Sequence, residues 1–253
     1  MAGKKRLSAG QPPKLDASFW ARYTSEQDPS PRDKLLFVTM SEISRRGILD
    51  VNAGAICELL DVKPPMVNYY FGSFDGLLAE AVAHTYENWV EWTQRAISKK
   101  VTNPSQRLRN FFESEIARSV HYGPVIVFSA YPTLSEQVRS ILTSKFQKRM
   151  EHIFEYHICV LASIFSDMKS GTVSAIEFSV EDRPFKSYQI TRTKEMLAAG
   201  SAMWSISGLS LWATDSHAGT GSLLKTAGAI AKKTAMTSHV NRLVSSFEAE
   251  FSK

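Results

Sequence analysis

The sequence predicts an all-α chain, on three observations. Apolar residues recur at helical spacing through most of its length. Pro31, Pro64, Pro104, Gly47 and Gly72 fall where helices would begin or end. Ser or Asn stands where an N-cap is expected.

Residues 1–14 hold Lys4, Lys5, Arg6 and Lys14 with no acid, and Gly10, Pro12 and Pro13 interrupt them, the composition of a disordered basic arm. Leu15, Phe19, Trp20 and Tyr23 follow at helical spacing and predict a short added helix, and "SEQDPSP" reads as a linker. Ser30, Pro31 and Asp33 make a helix start: a cap, a proline at the first position and a carboxylate in the first turn. This helix continues through Leu35, Leu36, Val38, Met40 and Ile43 and stops at Gly47.

Asn52 caps a second helix whose Ile56, Leu59 and Leu60 share a side, and Asp61 and Val62 form a turn. In "VKPPMVNYYFGSF", residues 62–74, two prolines open a very short third helix that Gly72 closes. Ser73 then caps a longer helix through Leu77, Leu78, Ala81, Val82, Tyr86 and Trp89.

Further on, Leu108, Phe111, Phe112 and Ile116 mark a helix bounded by Pro104 and by Gly123 with Pro124. The longest apolar face covers 134–168, from Val138 and Leu142 through Phe146, Ile153 and Ile158 to Phe165. A last helix covers 223–251 with Ile230, Val240, Val244, Phe247 and Phe251. Between them, Ile176, Phe178 and Val180 alternate with polar residues, as do Tyr188 and Ile190 around "EDRP", so 172–192 reads either as a small β-hairpin or as a plain loop. Residues 196–214 are uncharged for long enough to span a bilayer, but Gly200, Gly208 and the hydroxyls from Ser201 to Thr214 indicate instead a buried helix packed closely on a neighbour.

The 253 residues are 43% apolar and 22% charged, an ordinary globular composition. Cys57 and Cys159 lie far apart in apolar runs, which argues against a disulfide framework and for a reducing, cytoplasmic setting. No apolar segment of signal-peptide type follows the basic N-terminus. A net charge of +5 permits nucleic acid as a partner.

Enzymatic chemistry finds no support. "GTGSLLKT", 219–226, lacks the Gly-Lys pair of a phosphate loop, and no G-x-S-x-G, H-E-x-x-H or metal-spaced cysteine pair occurs. His152 and His157 fall on different helix faces. No catalytic residue, metal or cofactor is expected.

Three helices within about 45 residues, the second and third short and joined by a tight turn, form the helix-turn-helix pattern. Here residues 35–82 resemble the TetR family of bacterial regulators, through Gly47, Asn52, Ile56, Val62, Val67, Tyr69, Phe71 and Leu77. Three positions depart from the family's pattern: Asp61 replaces its turn glycine, Tyr70 its histidine and Phe74 its lysine.

The resemblance implies an arm over 1–14, a DNA-binding domain over 15–74 and an effector-binding and dimerisation domain over 75–253. It implies a homodimer reading an inverted repeat in double-stranded DNA, with Asn52 at a phosphate and Lys63, Pro64, Pro65, Met66, Asn68, Tyr69 and Tyr70 at bases or backbone. Val67 and Phe71 are expected in the small domain's core. From Ile48 to Phe74 three acids, Asp50, Glu58 and Asp61, face one base, Lys63, so electrostatic affinity must come from Arg32, Lys34, Arg45, Arg46 and the arm.

By the same resemblance, a small amphipathic effector would lie among the body helices, against Tyr86, Trp89, Phe112, Glu115, Phe128, Phe154, His157 and Trp204, with His121 a further polar candidate. The last two helices would form the dimer interface. The function so implied is a regulator, a repressor released by its effector. A helical adaptor that has lost DNA recognition is the alternative.

Overall fold

This computed structural model describes residues 13–97, 101–122, 134–176, 180–181, 193–214 and 221–251. The chain is all-α with an N-terminal helix-turn-helix region, and no strand occurs among the described residues. The basic arm to residue 12, most of the hairpin or loop segment 172–192, His121's side chain and Phe128 lie outside that description. The described residues 172–176 and 180–181 are turn or irregular.

Two compact units divide the chain, the first reaching to His84 and taking in the stretch that ends at Lys145, the second formed by the rest.

In the first unit, α1 (Ala17–Trp20) is a single turn, capped by the Asp16 carboxylate, which accepts from the backbone N–H of Ser18 and Phe19. Phe19 is buried and Tyr23 stacks on Phe37 at 5.1 Å, which ties this added segment to α2 (Pro31–Arg46). The cap of α2 is reciprocal: Ser30 Oγ accepts from Asp33 N at 3.2 Å and donates to Asp33 Oδ2 at 2.7 Å. Gly47, at φ 85, ends the helix, and a 3₁₀ turn (Ile48–Asp50) leads to α3 (Ala53–Leu60).

α4 (Pro65–Phe71) and α5 (Phe74–Ala96) follow, α5 belonging to the first unit up to His84 and to the second from Thr85. Leu35, Met40, Ile56, Val67 and Leu77 are almost fully buried. Each such side chain contributes roughly 1.5–3 kcal/mol of transfer free energy.

The second unit holds α6 (Pro104–Tyr122), α8 (Gln147–Ser170), α9 (Thr193–Thr214) and α10 (Gly221–Phe251), with α9 packed on α6 and α8 and α10 against the same pair. The expected continuous helix over 134–168 is interrupted. α7 (Glu136–Ile141), capped by Ser135, passes into a π turn (Leu142–Phe146) before α8 begins.

α9 is also less enclosed than its composition suggests. Ala199, Ala202, Met203 and Ile206 are buried, but Leu197 is 73% and Trp204 64% exposed, and a Cβ on Gly200 or Gly208 would meet nothing within 4 Å. Lack of charge does not reveal how many sides of a helix its own chain covers. None of the described helices is long and apolar enough to cross a membrane.

Candidate nucleic-acid interface and a buried polar cluster

The turn between α3 and α4 depends on Asp61, at φ 52 and ψ 45, the only non-glycine residue with positive φ among those described. Aspartate tolerates this left-handed geometry better than most side chains. It lets the N–H groups of Asp61 and Val62 reach the carbonyls of Glu58 and Cys57. Pro64 and Pro65 then start α4 where missing N–H groups carry little cost.

One side of α4 is anchored by Val67, 2% exposed. Lys63, Pro64, Pro65, Asn68 and Tyr69 are exposed, Tyr69 by 79%, while Met66 and Tyr70 are half-buried. The rings of Tyr69 and Tyr70 meet edge to face at 4.8 Å. Phe71, half-buried, lies under the guanidinium of Arg32 at 4.9 Å. Asn52 is exposed, and its Oδ1 accepts from Ala55 N at 2.9 Å, so its side chain caps α3.

Past Gly72, at φ 76, Ser73 Oγ caps α5 by accepting from Gly76 N at 2.9 Å. Gly76 sits so close to α4 that a Cβ there would fall 2.2 Å from the carbonyl oxygen of Phe71.

Of the cations expected to supply electrostatic affinity, Arg32, Lys34, Arg45 and Arg46 are engaged within the protein, and the arm to residue 12 lies outside the described residues. Arg32 pairs with Glu80, and Lys34 reaches Asp28 at 2.6 Å. Arg45 and Arg46 both bind the carboxylate of Glu42, which is 1% exposed. Glu42 lies three and four residues before them, and a buried carboxylate there reads in sequence like any exposed helix pair.

In the second unit the structure brings together several of the residues expected to meet an effector. Trp89, Tyr86, Phe112, Glu115 and His157 are all buried, and Phe154 is half-buried. Trp204, being exposed, is not part of the buried set. The ring of His157 stacks on Trp89 at 3.6 Å, and His157 Nδ1 sits 2.6 Å from the carbonyl of Ile153. Burial pushes this imidazole down to about 3, so it is neutral, and with its proton on Nδ1 it donates to that carbonyl.

Trp89 donates its indole N–H to Glu115 Oε1. Burial raises the Glu115 carboxyl above the ordinary range, while the Arg118 charge and the Trp89 hydrogen bond oppose that rise.

Arg118 itself is the residue that sequence reasoning missed. It is 1% exposed, its Nε lies 3.6 Å from Glu115 Oε2 and its guanidinium is 5.6 Å from the Trp89 ring. The available signal was its position, three residues after Glu115 and seven after Phe111, on the face of α6 that turns inward.

No family model matches the chain. It is similar to an HTH-type transcriptional regulator BetI from Paraburkholderia phymatum, 28% identical over 96 residues, which is 38% of this chain and 48% of that protein. A second BetI, from Burkholderia ambifaria, is 26% identical over 95 residues, 35% and 48% of the two chains. The chain spans about half the length of the curated relatives it matches. Those relatives are named as transcriptional regulators, not as enzymes.

Proposed function

We propose that the chain is a DNA-binding transcriptional regulator of the TetR type, a cytoplasmic homodimer with an N-terminal reading domain and a helical body that responds to a small effector. The observation that carries this reading is α4: a seven-residue helix held by Val67 and presenting Pro64, Pro65, Asn68 and Tyr69 to solvent. Such a helix is short and stiff enough to enter a major groove, where Asn68 offers bidentate pairing to adenine and the prolines offer apolar contact to a thymine methyl. Asn52, Lys63, Met66 and Tyr70 flank it as backbone or base contacts. The names of the similar proteins support the same class of function.

Leu197 and Trp204 on α9 support dimerisation, since a second copy would cover both. Repression with release by effector follows if the effector favours a spacing of the two α4 helices that misfits DNA. The engaged cations around α2 favour the second reading, an adaptor without DNA recognition.

Selection from a random duplex library at near-physiological salt, followed by sequencing, tests the two. An enriched inverted repeat with half-sites about one helical turn apart is expected. No enrichment, at lowered salt as well, would leave the adaptor.

A further inference from the structure

The buried cluster narrows the effector's chemistry, on the reading of the body as effector-responsive. Arg118 cannot lose its charge inside a protein, and a guanidinium carries five N–H donors and no acceptor. Among the described residues, Nε and Nη1 take no hydrogen-bond partner and Nη2 reaches Ser119 Oγ at 3.4 Å. Glu115 does not meet this demand, because its Oε1 accepts from Trp89 and its Oε2 stays at 3.6 Å from Arg118 Nε. His157 offers no charge and spends its proton on Ile153. A desolvated cation with unmade N–H bonds requires an anionic acceptor.

A cationic ligand fits poorly. The Trp89 ring, the natural seat for one, already has His157 stacked at 3.6 Å and the Arg118 charge at 5.6 Å. The remaining lining is apolar: Phe111, Phe112 and Tyr86 are each 2% exposed or less.

We propose that the effector is a monocarboxylate with an apolar or aromatic body, its carboxylate seated on the Nη1–Nη2 edge of Arg118 and its body among the aromatic side chains around Trp89. That edge presents parallel N–H groups in the geometry a carboxylate accepts bidentately.

The test uses the full chain, thermal melting and tryptophan fluorescence. The probes are hexanoate, octanoate and phenylacetate, each beside its amide, with octylammonium as the opposite charge. The acids are expected to raise the melting temperature and to bind about tenfold or more tighter than their amides, because Glu115 lies near Arg118 without hydrogen-bonding it and an acid brings a charged acceptor to those unmade N–H bonds. Arg118→Gln should erase that preference.

Should that variant fail to fold, Glu115→Gln decides: its amide oxygen still accepts from Trp89, the competing negative charge is gone, and acids should bind several-fold tighter than to the wild type. Equal binding of acids and amides, preference for octylammonium, no acid binding at all, or weaker acid binding in Glu115→Gln would each overturn the proposal.

Duplex retention measured alongside separates the two readings. DNA retained but indifferent to every acid refutes the carboxylate effector and leaves the regulator. Tight acid binding without retention of any duplex refutes the regulator and leaves the site.

Discussion

Glu42 in the helix-turn-helix unit and Arg118 in the helical body are two buried charges held at different distances from their partners. Around α2, one nearly inaccessible carboxylate, Glu42, pairs with two arginines that remain partly exposed, at 2.5 Å from Arg45 and 2.7 Å from Arg46, although Arg46 Nε makes no hydrogen bond. Around α6, Arg118 is fully enclosed beside Glu115 and keeps unmade N–H bonds. A close ion pair fixes a shape, whereas a buried cation with unmade N–H bonds keeps donors that a further acceptor would complete.

The contrast breaks most visibly at Trp89, which packs on His157 and donates to Glu115. Trp89→Ala should cost about 3–5 kcal/mol of stability in urea titration, through the cavity and the lost hydrogen bond. A loss below 1 kcal/mol would mean that the cluster is not a packed core.

His157 sharpens it next, through pH. The unfolded chain takes up this proton below pH 6.5 and the folded chain only near pH 3, so stability is lost as the pH is lowered across that window. Glu115, raised by burial, works in the other direction as it protonates earlier in the folded state. The difference between the wild type and His157→Gln isolates the imidazole: the wild-type unfolding free energy should decline more steeply, by roughly 1.4 kcal/mol per pH unit below 6.5. Parallel slopes would rule out a buried neutral histidine.

Glu42→Gln tests the other side. It strips two half-buried arginines of their counter-charge and should cost roughly 1–3 kcal/mol, read by denaturant melting. It should also steepen the salt dependence of duplex retention, since Arg45 and Arg46 are then available to phosphate.

The smallest stability effect belongs to Tyr69→Ala. At 79% exposure this change should stay within about 0.5 kcal/mol in a thermal melt. It should nevertheless reduce enrichment of the selected repeat; unchanged enrichment would remove Tyr69 from the reading surface.

Much of the first unit was legible because its punctuation is local. Ser30, Asn52, Ser73, Gly47 and Gly72 act within three or four residues of where they stand, and the left-handed turn at Asp61 follows from the side chain's own tolerance. On α4 the buried Val67 and the exposed Asn68 and Tyr69 agree with what the resemblance implies, whereas Phe71, expected in the core, is half-buried, as are Met66 and Tyr70. What stayed hidden depends on other parts of the chain. Glu42 and Arg118 look like surface charges until the helices around them are placed. Trp204, read as a wall of the effector site, is on the open side of α9, because an aromatic on a helix with little polarity contrast carries no mark of which side its chain covers.

The near-contact at Gly76 has a consequence for how this protein can be dissected. Gly76 on α5 meets the Phe71 carbonyl of α4 backbone to backbone, so no side chain exists there to truncate, and only an added one can report on the contact. Its effect appears on addition: Gly76→Ala would put a methyl group against the Phe71 carbonyl, so the backbone where α4 meets α5 must shift. Such a variant would act as a steering control, separating what α4 presents from the direction in which it presents it.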